Sequence, residues 1–172
     1  MLEAGLLIFF PFLMIYASSS DLFTMTIPNR VSVLLIGGFF LFSLLMGLGF
    51  EQVLMHLLAF GVVLMASFGL FSINAMGGGD AKLAASTALW FGWSTHLMEY
   101  LLLTSLLGAI LTLAFILGRT RYVPEFIGQM QWVRRLYNHH KVPYGIALGS
   151  AAVMVYPETP WMQHVINTYT AL

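Results

Sequence analysis

The sequence predicts an all-α, polytopic membrane protein with about six transmembrane helices. Hydrophobic residues make up 59% of the 172-residue chain and charged residues only 8%, whereas a soluble domain carries roughly 25% charged residues. The apolar residues also fall into long runs, and crossing the hydrocarbon core of a bilayer takes about 20 of them. A surface with so little charge suits lipid rather than water as its solvent.

Six segments are apolar over most of their length, and we predict one span in each: residues 2–18, 31–49, 53–73, 81–94, 97–118 and 142–156. Residues 47–52 and 94–96 interrupt apolar stretches that are too long for a single span. Pro157 and Pro160 end the last one. The first span has no Lys or Arg before Arg30, and a secretory signal peptide needs a basic start, so we expect a retained helix.

The charged residues support this count. With six spans, residues 19–30, 74–82 and 118–141 lie on one side of the membrane, and they contain all seven Lys and Arg residues. The other side carries acidic residues: Glu3, Glu51, Glu99 and Glu158. The positive-inside rule then places the basic side in the cytoplasm and both termini outside.

Two segments are predicted to lie on the membrane rather than across it. Residues 119–141 combine apolar residues at helical spacing with Arg134 and Arg135, which is typical of a helix in the headgroup region. The tail has a weaker apolar stripe at Met162, Val165, Ile166 and Tyr169. Residues 1–172 therefore form one predicted membrane-embedded domain, and membrane lipids are expected partners.

The composition excludes several functional classes. The net charge is zero, so no nucleic-acid partner is expected. The chain has no Cys, which excludes thiol nucleophiles and four-Cys zinc sites. His139 and His140 are adjacent and point in different directions, so we expect no metal there. His56 and His96 are predicted to be polar residues of the outer interface.

The chain contains two aspartates, Asp21 just after the first predicted span and Asp80 at the start of the fourth. The predicted topology places both at the cytoplasmic edge of the bilayer, where ionisable groups are functional candidates. Two carboxylates held close together share a proton, so one can act as general base on a water and the other as general acid. We therefore predict Asp21 and Asp80 as the catalytic pair of an aspartyl peptidase that needs no metal or other cofactor.

Three glycines, Gly77, Gly78 and Gly79, precede Asp80. Without Cβ atoms they allow a tight turn and the close approach of another backbone. Asp80 would then lie at a helix N-terminus, where the helix dipole favours the ionised carboxylate.

Several short blocks carry a resemblance to a known family: Asp21 followed by Ile27-Pro28-Asn29, Gly77-Gly78-Gly79-Asp80, Lys82, and Pro143-Tyr144-Gly145. In this order the blocks resemble the type IV prepilin peptidases, which are GxGD membrane aspartyl proteases. The chain has no Cys and begins directly at the first helix. It is therefore most similar to the short CpaA/TadV-like form found with Flp/Tad pilus systems.

The resemblance implies an intramembrane aspartyl endopeptidase of the bacterial inner membrane, with its active site toward the cytoplasm. Its partners would be prepilins or pseudopilins that carry a basic leader peptide, which the enzyme removes. N-methylation of the mature pilin is not expected. Asp21 and Asp80 would be catalytic, and nine residues would support the site: Gly77, Gly78, Gly79, Lys82, Pro28, Asn29, Pro143, Tyr144 and Gly145.

Other interpretations remain open at this point. Asp80 could serve only as a helix N-cap and Asp21 only as a turn residue. Lys82 could extend to the membrane interface, and Gly145 with Gly149 could serve helix packing. The alternative function is a small transporter or proton-conducting subunit, whose carboxylates would lie near the bilayer midplane at discontinuous helices.

Overall fold

The computed structural model describes residues 2–119 and 142–170 of the chain, and every regular element in these ranges is helical. The elements are α1 (Leu2–Thr24), α2 (Asn29–Leu45), α3 (Phe50–Ser72), α4 (Gly78–Phe91), α5 (Thr95–Arg119), α6 (Gly145–Val155), a 3-10 turn (Tyr156–Glu158) and α7 (Pro160–Thr170). The predicted all-α class is confirmed. The predicted interfacial segment lies outside the described residues, except that its first residue ends α5.

Three helices are long and apolar enough to cross a membrane: Leu2–Thr24, Phe50–Ser72 and Thr95–Leu117. The apolar helix α2 is shorter, with 17 residues. Helices α4 and α6 have only 14 and 11 residues. The structure therefore supports a membrane protein, while the count of six spans stays a prediction.

Helix α1 extends to Thr24, six residues beyond its predicted span. This last part is rich in Ser and Thr, which often leave helices to bond the backbone elsewhere. Here the Ser18 hydroxyl donates to the Met14 carbonyl at 2.9 Å, and the Thr24 hydroxyl donates to the Ser20 carbonyl at 2.7 Å. Met25, the residue directly after the helix, has a left-handed φ of 55°. Asp21 consequently lies inside α1 rather than after it.

Helix α4 is the central helix of the bundle. It packs against α2, α3 and α6, and all of its residues from Leu83 to Phe91 are buried. Four alanines keep its surface narrow, which lets the neighbouring helices approach closely. A short helix is tolerated here because protein, rather than lipid, surrounds it.

The last four carbonyl groups of a helix have no partner within the helix, and in α4 each of them has another donor. The Gly92 N–H donates to the Ala88 carbonyl at 2.9 Å, and His56 Nδ1 donates to the Leu89 carbonyl at 2.7 Å. The Trp161 indole N–H donates to the Trp90 carbonyl at 2.7 Å, and the Ser94 hydroxyl donates to the Phe91 carbonyl at 3.0 Å. These bonds allow α4 to end inside the bundle.

His56 and α7 therefore have roles that differ from the predicted ones. His56 is not simply an interfacial residue, because its ring lies 5.0 Å from Phe39 and 5.9 Å from Trp161, measured between ring centroids. In α7, Trp161 and Val165 are buried, whereas Ile166 and Tyr169 are exposed. Of the predicted apolar stripe, Val165 packs against the rest of the protein, whereas Ile166 and Tyr169 do not.

The alternating helices give the bundle two ends. One end, which we call the aspartate end, holds Asp21 and Asp80 together with Arg30 and Lys82. The opposite end holds four acidic residues, Glu3, Glu51, Glu99 and Glu158. The predicted segregation of charge therefore holds for the described residues.

Candidate active site

Asp21 lies in the last turn of α1 and is 6% exposed. Its Oδ2 accepts a hydrogen bond of 2.7 Å from the backbone N–H of Gly145, the first residue of α6. An N–H group at this position has no partner inside its own helix. The Asp21 carboxylate thus caps α6 from a different helix.

Gly145 fits this position because it has no side chain. A Cβ there would lie 2.8 Å from Asp21 Oδ2 and 2.9 Å from Ile27 Cδ1. The Gly145 carbonyl also accepts a hydrogen bond of 3.1 Å from the Ser18 hydroxyl. One turn later, a Cβ on Gly149 would lie 2.8 Å from the Met14 carbonyl oxygen. Both glycines therefore serve close helix packing, and Gly145 contacts a candidate catalytic residue as well.

Asp80 lies in the first turn of α4, as predicted, and is half-buried. Each of the three preceding glycines is close to a different group. At Gly77, a Cβ would lie 2.7 Å from Asp80 Oδ2. At Gly78 it would lie 3.3 Å from the Phe71 ring, and at Gly79 it would lie 3.3 Å from Ile27 Cβ. Larger residues in this run would displace the carboxylate or the loop that carries Ile27.

Ile27 connects the two aspartate-bearing segments. Its Cδ1 lies against Gly145, beside Asp21, and its Cβ lies against Gly79, beside Asp80. A glycine that donates to Asp21 and a glycine that precedes Asp80 therefore both lie against one side chain, in the loop between α1 and α2. Sequence analysis gave no role to Ser18, and it included Ile27 only as part of the Ile27-Pro28-Asn29 block.

Lys82 and Asn29 join α4 to α2, and Pro28 lies at the start of α2. The Lys82 ammonium donates to Asn29 Oδ1 at 3.0 Å, and both side chains are exposed. Pro28 is the N-cap of α2, and its carbonyl accepts from the Val31 N–H at 3.0 Å. The structure gives these residues a bracing role beside the site.

Pro143 and Tyr144 precede α6. Pro143 is buried, and its carbonyl accepts a hydrogen bond of 3.3 Å from the Ile146 N–H. The Tyr144 ring lies against Gly108 of α5, in a place that a larger residue would fill. Tyr144 also lines a shallow groove of about 390 Å³ along α5. These two residues fix the position from which Gly145 reaches Asp21.

Both candidate carboxylates thus lie near the N-terminus of a helix, Asp21 at α6 and Asp80 at α4. Helix N-termini favour negative charge. Among the described residues, a group of three His or carboxylate side chains with metal-ligand spacing occurs only at the opposite end.

A family model described as the type IV leader peptidase family matches residues 8–113 of this chain. The chain belongs to this family. The match includes Asp21, Asp80 and the glycines before Asp80, and it ends before Pro143. It confirms the family that the short sequence blocks indicated.

Curated relatives agree with this assignment. The chain is 34% identical over 107 residues to a prepilin leader peptidase/N-methyltransferase of Aeromonas hydrophila, which covers 59% of the chain and 37% of the relative. It is 35% identical over 107 residues to the protein of the same name from Aeromonas salmonicida (strain A449), which covers 59% of the chain and 36% of the relative. The chain thus aligns with little more than a third of these relatives' length. No solved structure matches it.

Proposed function

We propose that this family member is an aspartyl endopeptidase that removes the leader peptide from prepilin-like or pseudopilin-like precursors, with Asp21 and Asp80 as its catalytic pair. The observation that carries the proposal is that Ile27 lies against both Gly145, which donates to Asp21, and Gly79, which directly precedes Asp80. Both aspartates lie within the residues matched by the leader peptidase family.

When the two carboxylates are brought together around the substrate, they would share one proton. The ionised carboxylate accepts a proton from a water, whose oxygen forms a bond to the carbonyl carbon of the leader's last residue. The protonated carboxyl donates its proton to the carbonyl oxygen. The tetrahedral intermediate then breaks its C–N bond as the departing amine takes the proton that the first aspartate accepted from water. A hydroxyl of the intermediate returns a proton to the other aspartate, which leaves a carboxyl group on the leader and a free pilin N-terminus.

The hydrogen bond from Gly145 to Asp21 supports this chemistry by fixing the direction of one carboxylate. Because Oδ2 is occupied by the backbone donor, Oδ1 is the atom that would face the water or the substrate carbonyl. The N-termini of α4 and α6 add positive partial charge beside Asp80 and Asp21, respectively.

The membrane position of the site supports a peptidase over a transporter. Asp21 lies three residues before the end of α1, and Asp80 lies three residues into α4 counting from Gly78. A transporter would hold such groups near the bilayer midplane. A substrate whose cleavage site lies just outside its own apolar helix would meet the carboxylates at this depth.

The charges suggest where the site faces. Arg30 and Lys82 lie at the aspartate end, while the described acidic residues other than Asp21 and Asp80 lie at the opposite end. The positive-inside rule then assigns the aspartate end to the cytoplasmic side of the inner membrane, with both termini outside. A basic leader would approach the two carboxylates from that side.

The test is co-expression of the chain with a prepilin that carries a basic leader, followed by gel analysis of leader loss. Asp21→Asn and Asp80→Asn keep the side-chain size and remove the ionisable group. Each should abolish cleavage while the protein still accumulates in the membrane. Glu51→Gln, at the opposite end, is the matched control and should cleave normally. A folded Asp→Asn variant that cleaves near the wild-type rate would show that the residue is structural.

A further inference from the structure

Three metal-ligating side chains converge at the opposite end of the bundle, away from Asp21 and Asp80. His96 and Glu99 lie near the start of α5, and Glu158 lies in the 3-10 turn that follows α6. One ligand atom from each residue lies within 4.8 Å of the other two. The leader peptidase activity makes no use of these residues.

The spacing suits a divalent transition-metal ion. Zinc binds imidazole nitrogen and carboxylate oxygen at about 2.0–2.2 Å, which places the ligand atoms of a tetrahedral site roughly 3.4 Å apart. His96 Nδ1 and Glu99 Oε2 are already 3.4 Å apart. Glu158 is exposed, so a change of its side-chain rotamer can bring its carboxylate to the same spacing. Water would complete the coordination.

The charges also fit. Glu99 and Glu158 bring two carboxylates together, and like charges at this separation repel each other. A divalent cation bound between the two carboxylates would offset both charges. The turn that carries Glu158 is fixed by the Tyr156 hydroxyl, which donates to the Leu6 carbonyl at 2.9 Å. Glu158 is therefore presented to α5 from a well-supported position.

We infer that His96, Glu99 and Glu158 form a binding site for a divalent transition-metal ion, which would join the start of α5 to the turn after α6. The donor set of one imidazole and two carboxylates favours zinc over magnesium or calcium, which prefer oxygen ligands alone. The sequence did not indicate this site, because Glu158 is far from His96 and Glu99 along the chain.

The experiment uses the purified full chain in detergent, with any polyhistidine tag removed, and Zn²⁺ as the probe. Affinity is measured by competition with a chromogenic chelator, and thermal unfolding is followed with and without Zn²⁺. We expect one Zn²⁺ per chain at this site and a higher Tm in its presence. Mutating a residue that only hydrogen-bonds to a metal ligand typically lowers metal affinity about 10–100-fold, and removing a ligand itself should lower it no less. His96→Asn and Glu158→Gln should therefore each weaken Zn²⁺ binding at least about tenfold.

Two control variants carry the same substitutions outside the cluster. Glu51→Gln and His164→Asn change exposed residues at the same end of the bundle, and both should bind Zn²⁺ like the wild type. Equal affinity in the wild type and Glu158→Gln would overturn the proposal, and so would equal loss in Glu51→Gln. If His139 or His140 held the Zn²⁺ instead, all four variants would still bind it, and Glu158→Gln would have the same affinity as the wild type. Unfolding without Zn²⁺ shows whether each variant is folded.

Discussion

The N–H of Gly145 donates a 2.7 Å hydrogen bond to Oδ2 of Asp21, a residue 124 positions earlier in the chain. Through this bond, the last turn of α1 and the first turn of α6 form a single unit. The Gly145 carbonyl also accepts a hydrogen bond from the Ser18 hydroxyl, so both the N–H and the carbonyl of Gly145 bond to α1. The position of one candidate catalytic carboxylate therefore depends on the packing of two distant helices.

Gly145→Ala should strongly reduce leader cleavage, by about tenfold or more, because its Cβ would lie 2.8 Å from Asp21 Oδ2 and only Gly fits such an approach. Cleavage of a prepilin in isolated membranes measures the effect. Gly61→Ala is the matched control, since a Cβ at Gly61 meets nothing within 4 Å. Cleavage by Gly145→Ala at the control's rate would contradict the proposed positioning of Asp21.

Ser18→Ala should destabilise the protein by about 0.5–1.5 kcal/mol, the usual net value of one hydrogen bond. The substitution removes the hydroxyl that joins α1 to the Gly145 carbonyl at 3.1 Å. Ser105→Ala is the control, because the Ser105 hydroxyl bonds only within its own helix, to the Leu101 carbonyl at 2.8 Å. Reversible unfolding in detergent compares the two, and an equal loss in both variants would show that the bond between helices adds nothing.

The breaks after α2 and α4 lie close to the interruptions at residues 47–52 and 94–96, because Gly and polar residues interrupt very apolar runs there, whereas α4 begins at Gly78, three residues before the predicted span. The sequence did not predict that α1 continues to Thr24, since Ser and Thr can bond to helical carbonyls or to other backbone with similar ease. The capping of α4 by His56 and Trp161, and the bond between Gly145 and Asp21, join residues far apart in the chain. Such pairings depend on tertiary packing, which spacing along one sequence does not encode.

Lys82 and Asn29 should act as a coupled pair. Their 3.0 Å bond joins α4 to α2 beside Asp80, and both residues are exposed. In a double-mutant cycle of Lys82→Met and Asn29→Ala, we expect a coupling energy of about 0.5–1 kcal/mol, because solvent weakens exposed charged contacts. Additive effects on unfolding would mean that the bond does not brace the two helices.

Trp161→Phe should destabilise the protein by about 1–3 kcal/mol, because it leaves a buried acceptor without its donor. The Trp161 indole donates to the Trp90 carbonyl at 2.7 Å, and the side chain is 2% exposed. Phe keeps an aromatic ring, so most of the apolar packing should remain. Chemical or thermal unfolding in detergent measures the loss.

Trp93→Phe is the control for this substitution, because Trp93 is 49% exposed, and it should leave stability nearly unchanged. Both variants should still cleave a prepilin at temperatures where they are folded, since Trp161 lies at the end of the bundle opposite Asp21 and Asp80. If Trp161→Phe were as stable as Trp93→Phe, another donor would have to satisfy the Trp90 carbonyl. A loss of cleavage in folded Trp161→Phe would instead show that the end of α4 affects the geometry of Asp80 at its start.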